Sequence, residues 1–356
     1  MEPFKLAIAG ANAERGWARD THIPALKFIP GIELYAVSAR NQQIADVAAR
    51  TFGASKAYGE TLEMVRDPDV DIVAVLVKVP EHRAIVLAAL DAGKHVYCEW
   101  PLGRDLDEAL ELAEAAKRSG VHVAIGLQGA NAVAVRHAAN LVREGAIGQP
   151  LTLRVVSSTA GWGAIAPPHY AYLQDRRNGA TLATIAGGHT LAALETVVGE
   201  FTSVSARNSI LLDSVAIVGT DEVVQRTCAD HMLITGKHAS GCVSSVEILG
   251  GASIPLRFEL RGSKGTLEIT GDHPGGYQCA GLTVRCAPEA EAQPLPSVPG
   301  LEDAPINVAQ LWSQFESDIR NGTRTVPDFD RAVRLTRLLD AIETASDDGR
   351  TVELVD

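Results

Sequence analysis

No stretch of about 18 consecutive apolar residues runs anywhere in the sequence, so a membrane-spanning helix is not expected. The opening residues Met1-Glu2-Pro3-Phe4-Lys5 lack a basic segment followed by a long apolar one, and no secretory signal is expected. Cysteine is sparse. Cys98, Cys228, Cys242, Cys279 and Cys286 form no Cys-x-x-Cys pair, and the odd count suits reduced thiols in a cytoplasmic protein. Lysine and arginine never form a run, and the formal net charge is -12. Such a chain repels a phosphate backbone, which argues against nucleic acid as a direct partner. Histidine, cysteine and aspartate never cluster at ligand spacing, so no metal is expected. There is no internal repeat. What remains is 46% hydrophobic and 21% charged, an ordinary globular balance whose 356 residues suit two domains.

Over the first 127 residues, strand and helix signals alternate. Apolar β-type runs occur at 5–9, 32–37, 71–77, 95–98 and 122–127. Near-continuous apolar runs of this length suit strands buried on both faces, as in a parallel sheet. Helical patterns at 41–52, 81–92 and 106–119 end at Gly53, Gly93 and Gly120, each able to supply a left-handed C-cap. Asp105, with Glu108 three positions on, marks an N-terminus. The expected architecture is α/β: a Rossmann doubly wound parallel sheet over 1–129.

After a helix near 132–144 the rhythm changes. Segments 151–158, 201–211, 231–249, 256–270 and 282–286 alternate or carry β-branched residues, and Arg261-Gly262-Ser263-Lys264-Gly265-Thr266 reads as a hairpin turn. The expectation for 130–356 is a substrate and oligomerisation domain with an open, mainly antiparallel sheet. Segment 287–305 reads as an exposed loop, and helical patterns follow at 306–321 and 329–346.

The strand at 5–9 runs into Gly10-Ala11-Asn12-Ala13-Glu14-Arg15-Gly16-Trp17. A Rossmann domain places its glycine turn here, facing backbone N–H groups and a helix N-terminus towards the pyrophosphate. Asn12 and Arg15 stand where the second and third glycines would be. Asn12 tolerates a positive φ, and Gly16 relieves helix packing one residue late. The second strand ends in Val37-Ser38-Ala39-Arg40 instead of a carboxylate. Nothing there repels a 2′-phosphate and Arg40 can pair with one, so NADP is favoured over NAD.

These features, with Val79-Pro80-Glu81-His82, Ala92-Gly93-Lys94-His95-Val96, Glu99-Trp100-Pro101, Gly161-Trp162 and Gly188-His189-Thr190, resemble the Gfo/Idh/MocA oxidoreductase family. Within it the pattern is most similar to the galactose-repressor branch. The resemblance implies a second α/β domain closing over the nicotinamide end, and homodimers or tetramers built on the open sheet. It also implies that Val77, Val79, Pro80, His82, Glu99, Trp100, Gln128 and Trp162 line the cofactor cleft, and His22 reads as a structural histidine.

Family enzymes carry a lysine in a Glu-Lys-Pro motif, and here position 100 is tryptophan, which cannot exchange a proton. The family's aspartate four residues before His189 is Ile185, and the one three residues after it is Ala192. Three readings follow. The first is an oxidoreductase acting on a sugar or related hydroxylated small molecule. In it Lys78, at the end of an apolar strand, and His189, a proton-transfer group near pH 7, are the catalytic candidates. Tyr172 and Asp175, in a polar loop bounded by Pro and Gly, join them. The second is a dinucleotide-binding regulator with a protein partner. The third is a redox-neutral lyase or hydrolase. The oxidoreductase is the favoured reading.

Overall fold

The computed structural model describes residues 2–279, 281–287 and 300–354. The chain forms two compact units. One runs through Leu127 and takes up the chain again as far as Arg334, and the other runs from Gln128 and resumes at Leu335.

The first unit opens with a parallel sheet of six strands: β1 (Phe4–Ala9), β2 (Ile32–Ser38), β3 (Lys56–Tyr58), β4 (Ile72–Val75), β5 (His95–Glu99) and β6 (Val123–Gly126). Their order is β3-β2-β1-β4-β5-β6, the dinucleotide-binding arrangement whose switch point lies between β1 and β4. β4 and β6 are buried along their whole length, which explains their unbroken apolar sequence. Helices α1 (Ile23–Leu26), α2 (Gln42–Phe52), α3 (Thr61–Arg66), α4 (Val79–Asp91) and α5 (Leu106–Ser119) connect the strands. Caps set their ends. Asp105 accepts a hydrogen bond from the Glu108 N–H at 2.9 Å, as the sequence pattern anticipates, and Gly120 closes the helix in the left-handed region.

The second unit begins with α6 (Val133–Arg143) and β7 (Pro150–Thr159). After the short β8 (Ile165–Ala166) and α7 (Gly188–Val198) come β9 (Phe201–Ser209), β10 (Ser214–Ile217), β11 (Val223–Gln225), β12 (His231–His238) and β13 (Val243–Gly250). The hairpin β14 (Leu256–Gly262) and β15 (Thr266–Gly271) follows, then β16 (Thr283–Ala287). With β17 (Val352–Glu353) they form an eight-stranded sheet ordered β16-β15-β14-β7-β13-β12-β9-β17, in which only the β7–β13 pair is parallel. Along β12 alternate residues are buried (Met232, Ile234) and exposed (Leu233, Thr235), the signature of a sheet covered on one face. β8, β10 and β11 make a separate small sheet.

Two helices close the chain, α8 (Ala304–Asn321) and α9 (Phe329–Asp348). Here the structure departs from the expected continuous second domain over 130–356. α8 belongs to the first unit, where Val308, Leu311, Trp312 and Phe315 share a core with Leu6, Ile8 and Tyr97. An amphipathic helix carries no record of which sheet it covers, so its pattern alone could not assign it. Smaller differences have local causes. The strand expected over 71–77 stops at Val75, and 231–249 is two strands broken at the Gly241 turn. Of the loop expected over 287–305, residues 288–299 lie outside the described residues.

Candidate functional site

The first half of the site is built at the end of β1. Gly10 has φ +95°, and a Cβ there would stand 2.7 Å from the Leu76 carbonyl oxygen, so only glycine lets the turn pass β4 this closely. The N–H groups of Gly10 and Ala11 both donate to the Ser38 carbonyl, at 3.1 and 2.9 Å. They brace the turn against β2 and are not available to a phosphate. Asn12 works through its side chain: Oδ1 accepts from the N–H groups of Glu14 (2.8 Å) and Arg15 (3.2 Å). The positive φ expected for Asn12 is absent; among described non-glycine residues only Trp162 and Asp303 adopt one. Gly16 does adopt one, at +105°, yet a Cβ there would meet nothing within 4 Å. Backbone conformation, not helix packing, requires glycine at that point.

The chain then turns through a five-residue π-helical segment, Ala18–His22, into α1. At its start the Trp17 indole N–H is buried and meets no acceptor among the described residues. A buried donor without a partner costs stability unless something else supplies the acceptor. At the adenosine end Ser38 is fully buried, its hydroxyl 2.9 Å from that of Thr61, while Arg40 is exposed one residue before the Asn41 cap of α2. Of that pair, Arg40 alone projects into solvent.

The β4 and β5 ends carry the remaining first-unit residues. Lys78 is the exposed N-cap position of α4, three residues beyond the end of β4, with Val79 and Pro80 forming the first turn. His82 is buried, its Nε2 lying 3.1 Å from the Val77 carbonyl and its Nδ1 2.9 Å from that of Pro101 and 3.4 Å from the Cys98 thiol, so its single N–H serves one carbonyl and the thiol is within reach of the bare nitrogen. Burial holds its pKa below the ordinary histidine value. Trp100 is 5% exposed and Glu99 is tied to His22, whose Nε2 lies 2.9 Å from Glu99 Oε1. Trp312 of α8 in turn donates its indole N–H to His22 Nδ1 at 3.0 Å and stacks on Tyr97.

The second unit holds the other candidates. His189, at the start of α7, is 3% exposed and its Nδ1 has no hydrogen-bond partner among the described residues. Burial takes its pKa down to about 3, so proton exchange near pH 7 does not apply to this state. The imidazole is neutral and available as an acceptor. Its neighbour Thr190 donates to Ser157 Oγ at 3.1 Å. α7 packs on the short turn Tyr277–Cys279, where the Tyr277 hydroxyl and Gln278 Oε1 are also buried without partners. Gln128 Oε1 is a fourth such atom, and the adjoining Gly129 lies so close to Tyr277 that a Cβ would stand 3.1 Å from its ring.

The polar loop is more self-contained than expected. Asp175 receives Arg177 in a two-pronged pair at 2.6 and 3.0 Å and caps the Arg177 N–H, which holds its carboxyl below the usual range. Tyr172 is half-buried, its carbonyl accepting from Asn178. Trp162, at φ 58°, donates its indole N–H to the Leu173 carbonyl at 3.3 Å, stapling the loop instead of facing outward. Behind it the buried Arg226 binds Gln174 Oε1, Asp230 Oδ2 and the Gly163 carbonyl.

Residues 4–127 match the family model described as oxidoreductase family, NAD-binding Rossmann fold, and residues 134–271 match that of the Gal80p C-terminal domain. The chain belongs to the Gfo/Idh/MocA family, near its Gal80 branch. It is 28% identical to the dehydrogenase aclE of Aspergillus oryzae, over 98% of this chain and 97% of the relative. Its fold matches a super-repressor mutant of Gal80p from Saccharomyces cerevisiae with a TM-score of 0.89 at 22% identity, over 99% of this chain and 98% of the other. It also matches levoglucosan dehydrogenase in complex with NADH and levoglucosan, with a TM-score of 0.82 at 21% identity over the whole of both chains.

A Gfo/Idh/MocA chain with Trp100 and Ile185 lacks an ionisable side chain at either position. Three residues that the sequence did not single out join the candidates: Trp312, Tyr277 and Gln278. Only their buried surroundings mark them. Among the described residues, no group of histidine, cysteine and acidic side chains is arranged to hold a metal ion. No helix among them is long and apolar enough to cross a membrane.

Proposed function

We propose that this chain is an NAD(P)-dependent oxidoreductase acting on a sugar or related hydroxylated small molecule. His189 carries the reading. A buried imidazole with an unpartnered Nδ1, beside the similarly unpartnered Tyr277 hydroxyl and Gln278 and Gln128 carbonyl oxygens, suits a ligand that brings several hydroxyl groups. A neutral His189 accepts a hydrogen bond from a substrate hydroxyl and so fixes where the reacting group sits.

For the dinucleotide, the residues present fit. The Trp17 N–H offers a donor with no acceptor among the described residues, Gly10 allows close approach, and Arg40 is the cation for a 2′-phosphate. Val77, Val79, Pro80 and Glu99 stand at or just beyond the carboxyl ends of β4 and β5, where a sheet of this order takes its nicotinamide half. When bound, the nicotinamide supplies the hydride acceptor or donor. The chain's own part is to orient the ring, exclude water with Trp100 and hold the substrate hydroxyl through His189.

The test is transfer of label. C4-deuterated reduced cofactor with a panel of keto-sugars, or oxidised cofactor with polyols, should move deuterium between nicotinamide and substrate. Product and label are both followed, so that a redox-neutral turnover is also seen. A second reading has its own support in Trp100 and Ile185: a regulator that binds the dinucleotide without chemistry. Tight cofactor binding with no transfer on any substrate would select it.

A further inference from the structure

We infer that Glu99 makes this site prefer the oxidised nicotinamide to the reduced one, because Trp312 and His22 give Glu99 a neutral hydrogen-bond donor instead of a counter-charge. The inference rests on the dinucleotide reading above.

An indole N–H can only donate. At 3.0 Å from His22 Nδ1 it therefore finds a lone pair, and the proton of the ring is on Nε2, 2.9 Å from Glu99 Oε1. A second proton on the ring would have to go onto Nδ1, where it would meet the indole N–H head-on. His22 is 0% exposed and enclosed by the Tyr97 ring at 5.3 Å and the Trp312 ring at 6.0 Å, which leaves the indole no other outlet. The contact between His22 and Glu99 is thus a neutral donor meeting a carboxylate, not an ion pair.

Three titratable groups beside the carboxylate add no positive charge. Burial pushes the Tyr97 phenol and the Cys98 thiol well above their ordinary values, and pushes the His82 imidazole down. Position 100, an ammonium in the family's Glu-Lys-Pro motif, is an indole here. Glu99 Oε2 leans on Gly126, where a Cβ would stand 2.6 Å away, and the side chain is only 12% exposed. The end of β5 consequently presents a carboxylate with little water to screen it. Oxidised nicotinamide carries a formal positive charge and reduced nicotinamide none. A carboxylate at close range in partly dry surroundings favours the cation by about tenfold or more. Trp312 and His22 act here as positioning residues, and Glu99 is the group that meets the cofactor.

Calorimetry on the full chain with NAD and NADH, and with NADP and NADPH, reads the ratio of dissociation constants directly. The expected wild-type ratio favours the oxidised form about tenfold or more and is flat between pH 6 and pH 8. Glu99→Gln should bring it to within about threefold of unity. Trp312→Phe removes the indole donor, frees Nδ1 to take a proton, and should make the ratio fall towards unity as pH drops from 8 to 6. Adding His22→Gln, an amide donor that cannot be protonated, should flatten the profile again. His22→Gln alone should keep the wild-type ratio at every pH. A wild-type ratio near unity, or one unmoved by Glu99→Gln, overturns the inference while leaving the dinucleotide reading standing. A flat profile in Trp312→Phe overturns the part assigned to His22. Failure of every form to bind would remove the dinucleotide reading and the inference together.

Discussion

In the first unit His82 has carbonyl acceptors for its N–H and the Cys98 thiol 3.4 Å from Nδ1, and His22 binds Trp312 and Glu99, whereas His189 in the second is buried almost as deeply and leaves Nδ1 with no partner among the described residues. The same contrast extends outward. The first unit's turn closes its own N–H groups on Ser38, and among the described residues of that unit the Trp17 N–H and the Tyr97 hydroxyl are the buried side-chain groups left without a partner. Around α7 of the second, three further polar atoms are orphaned, on Gln128, Tyr277 and Gln278. A histidine satisfied on both sides fixes loops in place. One left open weakens the fold, and such a residue persists where a ligand completes it.

The largest expected effect breaks the open side of this comparison. His189→Ala should lower label transfer by about two orders of magnitude, the usual cost of misplacing a reacting group by about an ångström, with cofactor affinity unchanged in calorimetry. Equal loss of affinity would make His189 a folding residue. The same histidine shapes acid stability. Because burial takes its pKa from 6.5 down to about 3, the folded state excludes a proton that the unfolded chain binds. Its contribution is complete above pH 6.5 and is lost as pH falls towards 3. In His189→Gln, urea midpoints should therefore decline less steeply from pH 6.5 to 4.

A smaller effect probes the exposed end of the first unit. Arg40→Ala should weaken NADP binding about tenfold and NAD binding hardly at all, since only NADP carries the phosphate for the guanidinium to pair with. Equal changes in the two affinities would take Arg40 out of the site.

The mildest change sharpens the contrast by repairing the second unit. Tyr277→Phe deletes a buried hydroxyl that has no partner and keeps the ring against Gly129. Thermal melts should show the free protein stabilised by about 1 kcal/mol, while turnover falls. A destabilised variant would mean that the hydroxyl is already satisfied in solution.

The sequence was most legible where chemistry is local. Asp105 and Gly120 bound α5, unbroken apolar runs give the parallel strands, and Gly10 marks the turn, each by rules acting over a few residues. Short elements escaped notice: β3 has three half-buried residues and β8 only two, too few to show a period. At the site, residue types pointed to Glu99 and His189 but not to their state. The tautomer of His22 depends on Trp312, and the low pKa of His189 on enclosure by elements far away in the chain. Tyr277 and Gln278 carry no motif at all. Ser38 and Trp162 were legible as positions and not as partners, because their hydrogen bonds turn inward, to Thr61 and Leu173.

The return of α8 also bears on how the protein is made. Trp312 lies 290 positions after the histidine it binds, so the ribosome delivers the whole parallel sheet long before the helix that covers it. Closing so long a loop adds little to the equilibrium cost, which grows only with the logarithm of loop length. It does impose an order of events. Until α8 emerges, Tyr97 and its apolar neighbours face water or a chaperone without their cover, the situation in which nascent domains aggregate. A fragment ending at Leu127, though it contains every strand of the parallel sheet, would be born in that state and remain in it.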